Sequence, residues 1–305
     1  MTFIPIRLKF SILLMGLVLF FAAPAAQAKV VSDTYPLLSD RFLKSAELVE
    51  SGDDLILKTN TGISISAQEF EKSIAQYDPK LQDQLKGNLI FLLDQDIITR
   101  ILQFEMKKSK AFDEKAGLED QMGSFLASQV KDAIVSDKEV KTFYDENKAM
   151  MGGAPLDQVQ DNIKSFLAER KKQEGVRTYI ESLGASHGLQ INGKWMKTQY
   201  DIMKNNPVDK ARTSGKPTMI EFGATGCIPC DMMQPVLDSL RKKFPGALNV
   251  EFVHVNEQQV LAGRYGIQSI PVQVFFDKNG NEVFRHTGFF AEKEVLDQLQ
   301  KMGVQ

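Results

Sequence analysis

At 305 residues, 43% of them apolar, the chain is long enough for about two globular domains. A formal net charge of −2 gives no electrostatic argument for nucleic acid or an anionic surface as a partner. The two cysteines, Cys227 and Cys230, are too close in sequence for a staple that removes much unfolded-state entropy. The three histidines, His187, His254 and His286, stand at no ligand spacing from one another, which counts against zinc.

The first 28 residues read as a secretory signal. Arg7 and Lys9 make a short basic start, "FSILLMGLVLFFAA" is apolar but too short for a comfortable span, and Ala26 and Ala28 form an A-x-A pattern. Cleavage is expected after Ala28; the alternative is an uncleaved membrane anchor. Either way the rest of the chain is expected outside the cytoplasm, in the periplasm.

Residues 29–200 are expected to form an all-α domain. "LILK" and "ISIS" are read as two short strands about the turn "TNTG". Ser66 with Glu69, and Ser136 with Glu139, have the spacing of capping boxes at helix starts. Ile90, Leu93, Ile97, Ile101 and Phe104 recur at three- and four-residue steps and predict a helix with one buried stripe. "MMGGAP" breaks the pattern, and Pro155 suits the first turn of the next helix. That helix carries Leu156, Val159, Ile163, Phe166, Val176, Ile180 and Leu183 on one side and ends near Gly188. Met122, Met150 and Met151 are either plain core residues or the lining of an adaptable apolar surface. Trp195 is expected to pack at the domain junction.

Residues 201–305 are expected to form a second domain, in which residues 217–303 alternate strand and helix, an α/β pattern. "PTMIEFGA" is a buried strand, "CDMMQPVLDSLRKKF" a helix, "NVEFVHVN" a strand and "EQQVLAGRYG" a short helix. "PVQVFFD" and "NEVFRHTG" flank the hairpin turn "KNG", and "AEKEVLDQLQKM" is the last helix. The order implies a sheet with a parallel βαβ part and an antiparallel hairpin.

Between a buried strand and a helix, C-x-x-C reads as a redox motif. The helix start presents unpaired N–H groups and the positive end of the dipole, which lower the pKa of a thiol at Cys227. Pro229 fits between the cysteines because a helix start requires no N–H there. Cys227 is then the exposed nucleophile, and Cys230, shielded behind it, resolves the mixed disulfide. Glu221 is a carboxylate in an otherwise apolar strand. It is either an edge residue facing solvent or a buried acid of raised pKa that exchanges a proton near neutral pH. The three histidines are read as structural.

Glu221, Cys227, Cys230 and Pro235, with "YGIQSIP" and "FFDKNGNEVFRHTGF", resemble the thioredoxin fold family over about residues 201–305. The resemblance implies thiol–disulfide oxidoreductase chemistry with a redox-active Cys227–Cys230 disulfide and no further cofactor. It implies a cis Ile270–Pro271 bond against the cysteine pair, with the backbone before Pro271 binding substrate as an added strand. Gly223 and Gly226 stand where the family often has tryptophan, so a flatter, less aromatic rim is expected. Val253 aligns with a family lysine, so Glu221 is expected to lack a cation and to be governed by desolvation. Ile228–Pro229 lacks the histidine of strongly oxidising relatives, which favours a reductant or exchange enzyme resupplied by a membrane thiol-electron donor.

Residues from about 51 to 192, through "GISISAQEFEKSIAQYDP", "VSDKEVKTFYDENK" and "LDQVQDNIKSFLAERKKQEGVRTYIESL", resemble the helical peptide-binding domain of SurA-type periplasmic chaperones. Only "AMMGGAP" stands where many relatives carry a parvulin domain, so prolyl isomerase activity is not expected. Three readings stay open: an oxidoreductase whose helical half binds or positions client proteins, a chaperone or adaptor with a redox-sensing pair, and an oxidase or isomerase.

Overall fold

The computed structural model describes residues 29–131, 133–148 and 154–304. The expected secretory segment, and Met150 and Met151, lie outside them.

The N-terminal half is helix-rich, as expected, and is built around a small sheet. Helix α1 (Val31–Thr34) and two 3-10 turns, Pro36–Leu38 and Phe42–Ser45, lead into β1 (Glu47–Val49), β2 (Leu55–Lys58) and β3 (Ser64–Ser66). Helices α2 (Ala67–Ala75), α3 (Pro79–Lys86), α4 (Leu89–Lys108), α5 (Leu118–Gln129), α6 (Asp137–Asn147) and α7 (Leu156–His187) follow, then β4 (Gln190–Asn192) and α8 (Gly193–Met203). The strand order is β1-β4-β2-β3, with β1 and β4 parallel. The β2–β3 hairpin was legible in sequence. The three-residue strands β1 and β4 were not, because only their pairing with each other and with β2 defines them.

Local signals set the helix ends. The Ser66 hydroxyl accepts from the Glu69 N–H, but Glu69 turns its carboxylate to Arg100, so the first expected capping box is half made. At Ser136 and Glu139 both bonds form. Pro155 is the N-cap of α7, and Gly188 ends that helix at φ 57°, where a Cβ would run into the Asn60 amide.

Helix α4 is the spine of this half. Ile90, Leu93, Ile97 and Ile101 are buried, each side chain worth about 2 kcal/mol of apolar transfer. Phe104, at the end of the stripe, packs edge-on against the His187 ring. Asp94 sits within the stripe and accepts the Leu43 N–H at 2.9 Å; burial pushes its carboxyl up to about 6. His187 is buried between the Thr61 hydroxyl, 2.6 Å from Nδ1, and the Glu105 carboxylate, 3.1 Å from Nε2.

The long helix α7 serves two cores, so its apolar residues do not share one side. Ile163 and Leu167 pack with Val140 and Tyr144 of α6, while Tyr179, Ile180 and Leu183 join the α4 core. Phe166, expected on the buried face, is 53% exposed and lies beside Phe143. Met122 packs against the α4 core rather than forming a free surface. Trp195 also belongs to that core, edge-on to Phe70, and not to a junction between the halves.

Helix α8 runs through residue 200, where a boundary was expected. Beyond it lie α9 (Pro207–Arg212), β5 (Thr218–Gly223), α10 (Ile228–Lys243), β6 (Asn249–His254), α11 (Gln259–Arg264), β7 (Val272–Phe276), β8 (Glu282–Thr287) and α12 (Glu292–Lys301). The sheet order is β6-β5-β7-β8; β5 and β6 are parallel and the other pairs antiparallel. Every residue of β5 and β7 is buried, as befits central strands covered on both faces. Met219 and Phe275 point into a core with α10 and α12. Ile220, Phe222, Val274 and Phe276 point into a second core with α9 and α11.

Candidate active site

Strand β5 delivers the chain to the site. After Gly223 it turns through Ala224, Thr225 and Gly226, and Cys227 is the N-cap of α10. Gly226 has φ 80°, a left-handed conformation that explains a glycine there. Pro229 lies in the first turn, where its missing N–H is no loss. Pro235 lies inside α10, so the carbonyl one turn before it has no helical N–H to accept.

The cysteines are joined as a disulfide with Cα atoms 5.2 Å apart. Cys227 is half-buried and Cys230 is 1% exposed, the asymmetry expected of an attacking and a resolving sulfur.

Glu221 is fully buried, so the edge-residue alternative falls. Its Oε2 accepts from Gln273 Nε2 at 3.2 Å, and its Oε1 has no partner among the protein groups described. Burial pushes its pKa up to about 7, with the Gln273 bond pulling weakly the other way. The strand register places Phe252 of β6 opposite Glu221; Val253 pairs with Phe222 and points into the other core. The alignment was therefore one residue out, but its consequence holds, because the neighbour is apolar.

Glu221 and Gly223, two residues apart on β5, face the same side. A Cβ on Gly223 would stand 3.4 Å from both Cβ and Sγ of Cys230 and 3.0 Å from the Phe252 ring. The Glu221 face of the strand is thus the Cys230 face. Gly223 is buried behind the pair, not on the rim as expected. Gly223→Ala is expected to cost about 1 kcal/mol through overpacking, read as a lower urea midpoint of the oxidised protein.

The Ile270–Pro271 peptide is cis. Phe222 pairs with Val272, so continuing that register by one residue sets Pro271 beside Gly223. The Pro271 carbonyl accepts from the Gly288 N–H at 2.8 Å, which brings Phe289, 40% exposed, to the same edge. Ile228 is 76% exposed at the helix tip. The rim is therefore more apolar than the two glycines suggested.

One residue of the site escaped sequence reading, and a second had been read as structural. Gln273 carried the signal that flagged Glu221, a polar residue in an apolar strand, and it is the hydrogen-bond partner of that acid. His254, at the end of β6, uses Nε2 to accept from the Thr225 N–H at 3.2 Å, two residues before Cys227. His286 stacks on Phe290.

A family model described as a thioredoxin-like domain matches residues 205–303. The thioredoxin of Rickettsia felis is 31% identical over 104 residues, which are 32% of this chain and 98% of that protein. The chloroplastic M-type thioredoxin of Spinacia oleracea is 34% identical over 106 residues, 35% of this chain and 58% of that protein. Among solved structures, a thioredoxin variant from Halobacterium salinarum is 26% identical and aligns with 32% of this chain and 83% of that one, with a TM-score of 0.30.

Proposed function

Through its C-terminal domain the chain belongs to the thioredoxin family and is a thiol–disulfide oxidoreductase; on that premise we propose that it is an exported reductant or exchange enzyme acting on disulfides of extracytoplasmic proteins. The observation that carries this reading is the pairing of a half-buried Cys227 at a helix N-cap with a buried Cys230, which packs at Gly223 on the face of β5 that carries Glu221.

In the reduced enzyme the Cys227 thiolate, stabilised by the first-turn N–H groups of α10, attacks one sulfur of a client disulfide. The client's other sulfur leaves as a thiolate and takes a proton. Glu221 accepts the Cys230 proton, and the Cys230 thiolate attacks Cys227 Sγ. The second client sulfur departs, and two electrons have passed from the enzyme pair to the client. The backbone at Ile270, before Pro271, is the edge on which an extended client segment pairs. A membrane dithiol carrier restores the reduced pair.

Residues 1–28 act as the export signal, residues 29–200 as a SurA-like unit that binds or positions clients, and residues 201–305 as the redox domain. The absence of histidine from Ile228–Pro229 supports reduction over oxidation. Equilibration with glutathione buffers tests the direction: a potential near about −270 mV supports a reductant, and one near about −120 mV would make the enzyme an oxidase. Mass analysis of the protein from a periplasmic extract tests export, with Lys29 as the expected first residue.

A further inference from the structure

We propose that Arg41 and Gln84, both from the helical half, are positioning residues for the client-docking loop of the redox domain. The inference rests on the reading above. Its structural basis is α11, a six-residue helix that ends immediately before the loop 265–271, which carries cis Pro271.

So short a helix leaves most of its backbone polar groups without partners of its own. Here the helical half supplies partners at both ends. At the first turn, the Val260 N–H donates to Gln84 Oε1 at 3.2 Å, and the Val260 side chain packs with Ile74 of α2 and Leu85 of α3. At the last turn, the Arg41 guanidinium donates to the Arg264 carbonyl at 3.0 Å. The Arg264 side chain is itself buried and paired with Asp209 at 2.6 Å, with Asn88 within 3.4 Å. On its other face, α11 sends Leu261 and Ala262 into the core that holds Phe222 and Val272. The helix is therefore pinned between the β5–β7 core and the helical half, and the loop to Pro271 starts from that fixed point. Arg41 and Gln84 bond the backbone of α11, whereas Glu221 bonds Gln273, so their effect falls on client docking and not on sulfur chemistry.

The test uses the whole protein with Arg41→Ala, Gln84→Ala and the double substitution. Reduction of insulin disulfides gives KM and kcat, iodoacetamide gives the alkylation rate of reduced Cys227, and hydrogen exchange reports residues 259–271. Each single variant is expected to raise KM about three- to tenfold, the effect of one hydrogen bond, with kcat and alkylation unchanged and exchange in 259–271 faster. Gln84→Glu keeps an acceptor opposite Val260 and should retain the original KM. Unchanged KM and exchange in the double variant, or kcat and alkylation falling as KM rises, would overturn the proposal. Should Arg41→Ala fail to fold, the Gln84 pair carries the comparison. Should the unaltered protein fail to reduce insulin, the functional reading fails, and exchange alone decides whether the loop is held from the helical half.

Discussion

Replacing Cys227 with serine is expected to lower disulfide reduction by about three orders of magnitude or more, because the more exposed thiol of the pair is gone. Cys230→Ser is expected to lower turnover as severely but to leave a different product. Cys227 still attacks, no thiol behind it resolves the bond, and client proteins remain attached through Cys227. The two variants thus separate attack from resolution. Non-reducing electrophoresis followed by mass analysis should find mixed disulfides with Cys230→Ser and none with Cys227→Ser. The asymmetry follows from the exposure of the two residues, half-buried against 1%. Equal trapping through both positions would refute the assignment of roles.

Glu221→Gln is expected to remove a pH dependence of stability and to slow resolution. The carboxyl has an ordinary value of 4.5 and a folded value of about 7 in the oxidised protein. Between these values the folded state binds the proton more tightly than the unfolded chain does. The stability contributed by this group is therefore full below about pH 4.5, declines as pH rises, and is lost above about pH 7. The difference is on the order of 3 kcal/mol. Urea titrations of the oxidised protein between pH 4 and 8 should show that decline, and Glu221→Gln should flatten it. The variant should match the parent at pH 4 and exceed it at pH 8. The kinetic cost appears at the second sulfur: without a carboxylate to take the Cys230 proton, mixed disulfides should persist longer, and the inflection of client release near pH 7 should vanish. A parent whose stability is level across this range would show that water or another group solvates Glu221.

Much of this was legible in the chain because the signals are short-range. The Ser136–Glu139 box, Gly188 as a helix stop, Pro229 behind Cys227 and the "KNG" hairpin each depend on residues within one turn of one another. The stripe on α4 and the continuous apolar run of β5 reported burial correctly, and Glu221 stood out because it broke that run. From these, sequence alone determined the redox pair, its helix and strand, and the acid behind it.

What stands beside what was decided by tertiary structure. Glu221 faces Phe252 and Gln273 because of strand register, and register is set by the packing of both sheet faces, not by local propensity. Gly223 is a packing site against Cys230 rather than a gap in the rim for the same reason. Phe166 was misplaced because a periodic face says that a side is apolar, not which core each part of it meets, and α7 meets two; Trp195 was placed by its size, which calls for burial but not for a particular core. The contacts of Arg41 and Gln84 with α11 join segments more than a hundred residues apart; only the assembled cores bring those polar groups within reach, so no local pattern could announce them.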